Sequence, residues 1–277
     1  MKRSIILWVI AVLITVASAV YQRMTGPTYP IRGEITIEGT TVQYTLPTSH
    51  AGETNCPIEI PMTDNAMSGM IDWKRYKSSD HWSTEVMKMK DGKLVGELPL
   101  QPPAGKIMYR VRLAKGMNTM TINDGNEVII RFRGDVPWFI IIPHVLCMFL
   151  GMLFSTRAGM DFFNQNKDLV KLANWTLLLL ICGGFVFGPL VQKFAFNEYW
   201  TGWPFGGDLT DNKTAIAVLF WVIAAILIRK TERPAKWAVI AAIVTFIVFL
   251  IPHSLLGSEI DYSKVESQPV SSLLRTP

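Results

Sequence analysis

Cysteine and histidine are scarce, with three Cys and four His in 277 residues. Cys56, Cys147 and Cys182 show no paired spacing and form no zinc pattern with the histidines, so neither a disulfide framework nor a metal-stapled fold is expected. There is no phosphate-cradling glycine loop, no nucleophile elbow and no paired-carboxylate arrangement, and no catalytic residue is identified. A basic patch is missing too. The net charge of +5 comes from loops that flank apolar runs, so nucleic acid is not an expected partner.

What the chain has in abundance is apolar residues, 49% of the total, high for a soluble protein. They gather in five nearly uncharged runs at 4–20, 138–155, 175–191, 214–228 and 237–253. Each is about 15–18 residues long, at or just below the lower limit for a spanning helix. Trp, Lys and Arg flank most of them, as interfacial anchors do. The expected fold class is therefore a multi-pass α-helical membrane protein. Residues 1–3, 157–171 and 229–236 hold nine Lys/Arg against three Asp/Glu, whereas the loop after the third run and the C-terminal tail hold four against six. By the positive-inside rule the N-terminus is cytoplasmic, and residues 29–135, the 193–213 loop and the C-terminus lie outside. A bacterial cytoplasmic membrane is the expected location, with its lipids as partners. Residues 1–28 read as an anchor or as a signal peptide with a small-x-small site at Ala17-Ser18-Ala19. The expected divisions are that segment, a block at 29–135, a four-helix bundle at 136–256 and a loosely ordered tail at 257–277.

The 29–135 block changes pattern to short alternating segments, such as R-G-E-I-T-I-E at 32–38, broken by Gly, Pro and Asn/Asp turns. Asp91-Gly92 between two such segments is a hairpin signal, and Asp124-Gly125 marks another turn. With no helical period anywhere in the block, an antiparallel all-β sandwich is the economical fold. Trp73-Lys-Arg-Tyr76, Trp82, Met87, Asp91-Gly92, Leu98-Pro99 and the strand G-K-I-M-Y-R-V-R-L ending at Leu113 resemble the fibronectin type III and immunoglobulin-like superfamily. The resemblance implies that Tyr109 is a tyrosine corner and that Val111 and Leu113 point inward. It implies little about function, because this architecture serves many roles.

Two constellations are candidates for chemistry. The first is the loop at 193–213, K-F-A-F-N-E-Y-W-T-G-W-P-F-G-G-D-L-T-D-N-K. Its aromatics suit a membrane interface, and one of Thr210, Asp211 and Asn212 is expected to cap the helix that follows. Trp200, Trp203 and Phe205 offer stacking faces, and Gly202, Gly206 and Gly207 permit close backbone approach. With Asp208, Asp211 and Asn212 they form an expected pocket for a flat or amphipathic ligand. The second is the repeated Ile-Pro-His at His144 and His253, which helical rise places in the same leaflet. Ionisable groups at membrane depth face the protein interior, and two facing imidazoles are able to ligate a haem; the other reading is that each His bonds a carbonyl freed by its Pro. The leading functional expectation is a non-catalytic binding or assembly subunit whose sandwich engages another membrane or periplasmic protein. The alternative is a redox or haem-handling subunit.

Overall fold

A computed structural model describes residues 2–252 apart from 63, 65 and 166, together with 257 and 259–266. The chain forms two compact units, one made of Met1–Pro27 with Val136–Ser258, the other of Thr28–Asp135 with the segment from Glu259.

The first unit is helical. Its elements are α1 (Lys2–Thr25), α2 (Trp138–Gly159), α3 (Leu169–Ile181), a π-helical segment (Cys182–Phe187), α4 (Gly188–Phe196), α5 (Leu209–Leu227) and α6 (Pro234–Leu250). Four stretches are long and apolar enough to cross a membrane: Lys2–Thr25, Trp138–Asn164, Leu169–Phe196 and Leu209–Leu227. Pro234–Leu250 is a shorter apolar helix.

Two boundaries differ from the apolar runs for identifiable reasons. α5 begins at Leu209, ahead of the run at 214, because Asp208 caps it by accepting from Thr210 N at 2.8 Å. The cap is thus Asp208, not Thr210, Asp211 or Asn212, since a capped helix starts with a polar turn before its apolar face begins. α6 stops at Leu250, short of the run's end at 253. Pro252 disfavours helical geometry in the residue before it, and Ile251 is extended at φ −69° and ψ 119°.

Small residues bring the helices together, the packing typical of apolar helices that cross a membrane. A Cβ on Gly159 would lie 2.7 Å from Ala242 Cβ, and one on Gly151 2.9 Å from Leu180 Cδ2. Trp221 is fully buried, and its indole N–H lies 2.9 Å from Thr245 Oγ1 and 3.2 Å from Ser155 Oγ. Where α2 turns toward α3, Arg157 and Asp161 are both fully buried, paired at 3.0 Å.

In the second unit the strands are β1 (Ile31–Ile37), β2 (Thr40–Leu46), β3 (Ser49–Ala51), β4 (Cys56–Pro61), β5 (Met67–Arg75), β6 (Ser83–Val86), β7 (Lys88–Lys90), β8 (Lys93–Leu98), β9 (Lys106–Lys115), β10 (Asn118–Thr121) and β11 (Val128–Arg133). They form a β1–β2 pair, a three-stranded sheet β4-β8-β7, and a six-stranded sheet β3-β11-β9-β5-β6 with β10 also on β9. The sheets are open, and they share one hydrophobic core that includes Leu46, Ile58, Ile71, Leu98, Val111 and Leu113. Pairing is antiparallel except for β3 on β11, which is parallel. Asp91-Gly92 links Lys90 to Lys93 with both residues at positive φ, the two-residue turn that matches strand twist. Tyr109 is fully buried, but its hydroxyl donates to Pro47 O at 2.9 Å, 62 residues away in sequence. A tyrosine corner bonds only a few residues upstream, so this hydroxyl ties β9 to the β2–β3 link instead.

Residues 259–266 are docked on this unit, where a loose tail was expected. Ile260 N donates to Ala104 O at 3.2 Å, Tyr262 OH to Gln101 Oε1 at 2.9 Å, and Glu259 takes ion pairs from Lys106, at 2.5 Å, and from Lys77. The contacts that hold the segment come from residues over 150 positions earlier, which no local pattern reveals.

Candidate functional site

The site is assembled from the helix ends around the 197–208 loop. Asn197 ends α4 in a left-handed conformation, φ 63°, donating its N–H to Lys193 O at 2.9 Å. The loop is then gripped by the first turn of α5. One oxygen of Asp211, Oδ2, accepts from Thr201 N at 2.7 Å and Gly202 N at 3.0 Å, while Asn212 Oδ1 accepts from Trp203 N at 2.7 Å. Thr201 Oγ1 lies 3.2 Å from Asp208 Oδ2 and accepts from Gln192 Nε2 at 2.5 Å, which joins α4 to the same network.

This packing accounts for most of the residues singled out in the sequence. A Cβ on Gly202 would sit 2.6 Å from Asp211 Cβ, and one on Gly206 2.4 Å from Thr201 O. Their close approach is to the loop's own chain. Gly207 has nothing within 4 Å of a Cβ position. Trp200 stacks on Phe185, centroids 5.5 Å apart, and donates its indole N–H to Trp203 O. Trp203 and Phe205 are 77% and 83% exposed. Of the expected pocket residues only Asp208 and Asp211 face the space described next.

That space is a pocket of about 340 Å³ lined by α1, α2, α4 and the start of α5, with Gly184 of the π-helical segment and Phe249 of α6 also on its wall. Gln22, His144, Gln192, Asp208 and Asp211 form its rim at the loop end. Farther in, Met148, Phe149 and Met152 of α2 make an apolar wall, and Thr15 lies opposite on α1. The Thr15 hydroxyl is buried and has no hydrogen-bond partner among the described residues.

No family model, curated protein or solved structure matches the chain.

His144 shows the local logic. Its Nδ1 lies 2.9 Å from Gly183 O, and a carbonyl only accepts, so Nδ1 carries the proton and Nε2 keeps a lone pair. Gly183 belongs to the π-helical segment, whose Gly188 N–H bonds the same carbonyl. Pro189 just beyond offers no N–H, and Gly183 and Gly184 are weak helix formers, so the ladder widens there. π turns of this kind recur at functional sites. The bonded carbonyl thus comes from the facing helix, not from the turn preceding Pro143. His253, the other expected haem ligand, lies outside the described residues. Among the described residues no three His, Cys, Asp or Glu side chains gather as a metal set.

Gln22 of the cavity lining and Lys213 beside it both reach the end of α6. Lys213 is buried, and its ammonium donates to Ile251 O at 2.6 Å and lies 3.4 Å from Pro252 O; Gln22 Nε2 donates to Phe249 O at 2.7 Å and lies 3.3 Å from Ile251 O. Together they satisfy carbonyls orphaned by the end of α6. The sequence reading overlooked Thr15, Gln22, Gln192 and Lys213. Their signal was present: polar Thr15, Ser18 and Gln22 recur at i, i+3 and i+7 on one face of an otherwise apolar helix.

Proposed function

We propose that the protein is a non-catalytic binding subunit of a bacterial cytoplasmic membrane, holding an amphipathic small molecule in its helical unit beneath the 197–208 loop. The observation that carries this reading is the cavity itself. Its volume of about 340 Å³ falls in the range of roughly 300–1,000 Å³ typical of ligand pockets. Its lining joins polar Gln22, His144, Gln192, Asp208 and Asp211 near the loop to an apolar wall of Met148, Phe149 and Met152, a mixture that suits an amphipathic molecule. In the same reading the second unit is an immunoglobulin- or fibronectin-like sandwich outside the cytoplasm that engages a partner protein. The shared core between its sheets and the inward Val111 and Leu113 support that likeness.

Native mass spectrometry of the protein released from its host membrane tests the binding function. A bound amphiphile in the wild type, absent from Ala19→Phe, is the expected result, because Ala19 lines the cavity and a phenyl ring fills it. Equal occupancy in both forms would remove the cavity from consideration. For the sandwich, exposed substitutions on β6 and β7 should change the proteins recovered with the full chain, and an unchanged set would count against a recognition role. A haem-handling role keeps one supporting observation, the uncommitted Nε2 of His144 at the cavity. A Soret band in the purified protein that disappears in His144→Ala would favour it over the lipid reading.

A further inference from the structure

Hydroxyl side chains within the helices of the first unit share one arrangement. Ser18, Thr156, Thr176, Thr214 and Thr245 each donate to the backbone carbonyl four residues earlier, at 2.8–2.9 Å. A helix offers such a carbonyl at every turn, so a hydroxyl in an apolar helix finds a partner in its own backbone. Thr15 departs from this. It is 7% exposed, yet its hydroxyl has no hydrogen-bond partner among the described residues.

The place of that hydroxyl says where a partner can come from. Thr15 lies on the wall of the pocket, with Ala19 of the same helix and Met148, Phe149 and Met152 of α2. A buried hydroxyl without a partner is costly, because it has lost its hydration and gained nothing in exchange. A group entering the pocket removes that cost if it accepts the Thr15 proton. Met148, Phe149 and Met152 offer no strong acceptor, so a group that brings its own N–H or O–H beside them leaves that proton poorly satisfied. An oxygen that accepts and carries no proton fits best. A carbonyl is such a group, and it is a stronger acceptor than an ether oxygen.

Spacing along α1 separates this acceptor from a polar head. Gln22, which also lines the pocket and reaches the carbonyls at the end of α6, follows Thr15 by seven residues. That is about 10 Å at a helical rise of about 1.5 Å per residue. An amphiphile with its head beside Gln22 meets Thr15 where head gives way to chain. An acyl lipid carries its ester or amide carbonyl at that junction. Resting on the ligand-binding role proposed above, we infer that the ligand is an acyl lipid whose carbonyl accepts the Thr15 hydroxyl, with its chain along Met148, Phe149 and Met152.

Neutral probes with one dihydroxypropyl head and one chain length isolate the carbonyl: a monoacylglycerol ester, its N-acyl amide counterpart and an alkylglycerol ether. Each is offered to the delipidated full-length protein in a maltoside detergent, and retention is read by native mass spectrometry. The ester, the amide or both should be retained about fivefold more than the ether, the worth of one neutral hydrogen bond. Retention of only one of the two names the linkage, and retention of both shows that the carbonyl alone is recognised; each result supports the inference. Thr15→Val replaces the hydroxyl with a methyl of similar size and should abolish the preference over the ether. The same variant without ligand should be at least as stable as the wild type in denaturant unfolding, because it loses no hydrogen bond within the protein. A preference that survives Thr15→Val, or a ligand-free variant that is less stable, would overturn the role of Thr15. An ether retained as well as the ester and amide, with all three lost in Ala19→Phe, would overturn the acyl lipid and leave the pocket role standing. Retention undiminished in Ala19→Phe would overturn both.

Discussion

The crossing of the π-helical segment with α5 offers a sharp test, because one methyl group decides it. A Cβ built on Gly184 lies 2.3 Å from Thr214 Cγ2, and the next nearest atom, Thr214 Cβ, is at an ordinary 3.8 Å. Carbon atoms at optimal contact are about 3.5–4.0 Å apart, so Gly184→Ala forces the helices apart by roughly 1 Å or more. Overpacking of this kind costs about 1–3 kcal/mol. It is opposed by up to about 1 kcal/mol from replacing a helical glycine with alanine. The net expectation is a loss of about 1–2 kcal/mol, together with a displaced α5 first turn and weaker ligand retention. Thr214→Ser removes Cγ2 while keeping the hydroxyl that donates to Thr210 O at 2.9 Å. Alone it should cost about 0.8 kcal/mol for the lost methyl. Combined with Gly184→Ala it should be more stable than Gly184→Ala alone, giving a favourable coupling of about 1–2 kcal/mol in a double-mutant cycle. The assay is denaturant unfolding in detergent followed by tryptophan fluorescence. A Gly184→Ala protein as stable as the wild type, or additive effects in the double variant, would refute the crossing geometry.

Arg157→Met leaves Asp161 buried with hydrogen bonds from Asn164 and Asp168 N but no cation, and should destabilise the helical unit by about 3–5 kcal/mol in the same assay. Changing both partners, Arg157→Met with Asp161→Leu, should recover much of that loss. In the β unit, burial pushes the Asp72 carboxyl up, but hydrogen bonds from Arg112, Thr84 and Arg110 outweigh it and hold its pKa below the usual carboxylate range. Its stabilising contribution is therefore complete above the unfolded value of about 3.9 and is lost as pH falls through the lower folded value. Asp72→Asn should flatten that acid limb in a pH series of full-chain unfolding, and an unchanged limb would show that other groups set it. Met117 is 99% exposed, so Met117→Cys in intact cells should react with a membrane-impermeant maleimide if the β unit is outside the cytoplasm. Labelling only after lysis would reverse the proposed topology.

The alternation of Arg32–Ile37 and the two-residue Asp91-Gly92 turn were legible because both are local. A strand shows its burial pattern in a period of two, and a tight turn declares its backbone angles through Gly. The apolar runs were legible for the same kind of reason: composition along one continuous segment decides whether a helix can be long and apolar enough to cross a membrane. The importance of the loop before α5 was visible too, since Gly, Trp and Asp do not mix that way in a plain connector.

What those loop residues do was decided by tertiary contacts. Gly202 and Gly206 accommodate the loop's own backbone and Asp211, and Asp208 is the helix cap. The cavity that Asp208 and Asp211 face is lined mainly by residues that looked ordinary in sequence. Gln22 and Lys213 meet at the carbonyls where α6 ends, over 30 residues from either, and His144 meets Gly183 across helices. Local patterning set which segments form helices and strands, because backbone hydrogen bonding and side-chain period are short-range. The cavity, the direction of each donor at its rim and the docking of 259–266 arise only when distant segments pack, because a hydrogen bond joins groups about 3 Å apart in space however far apart they lie in the chain.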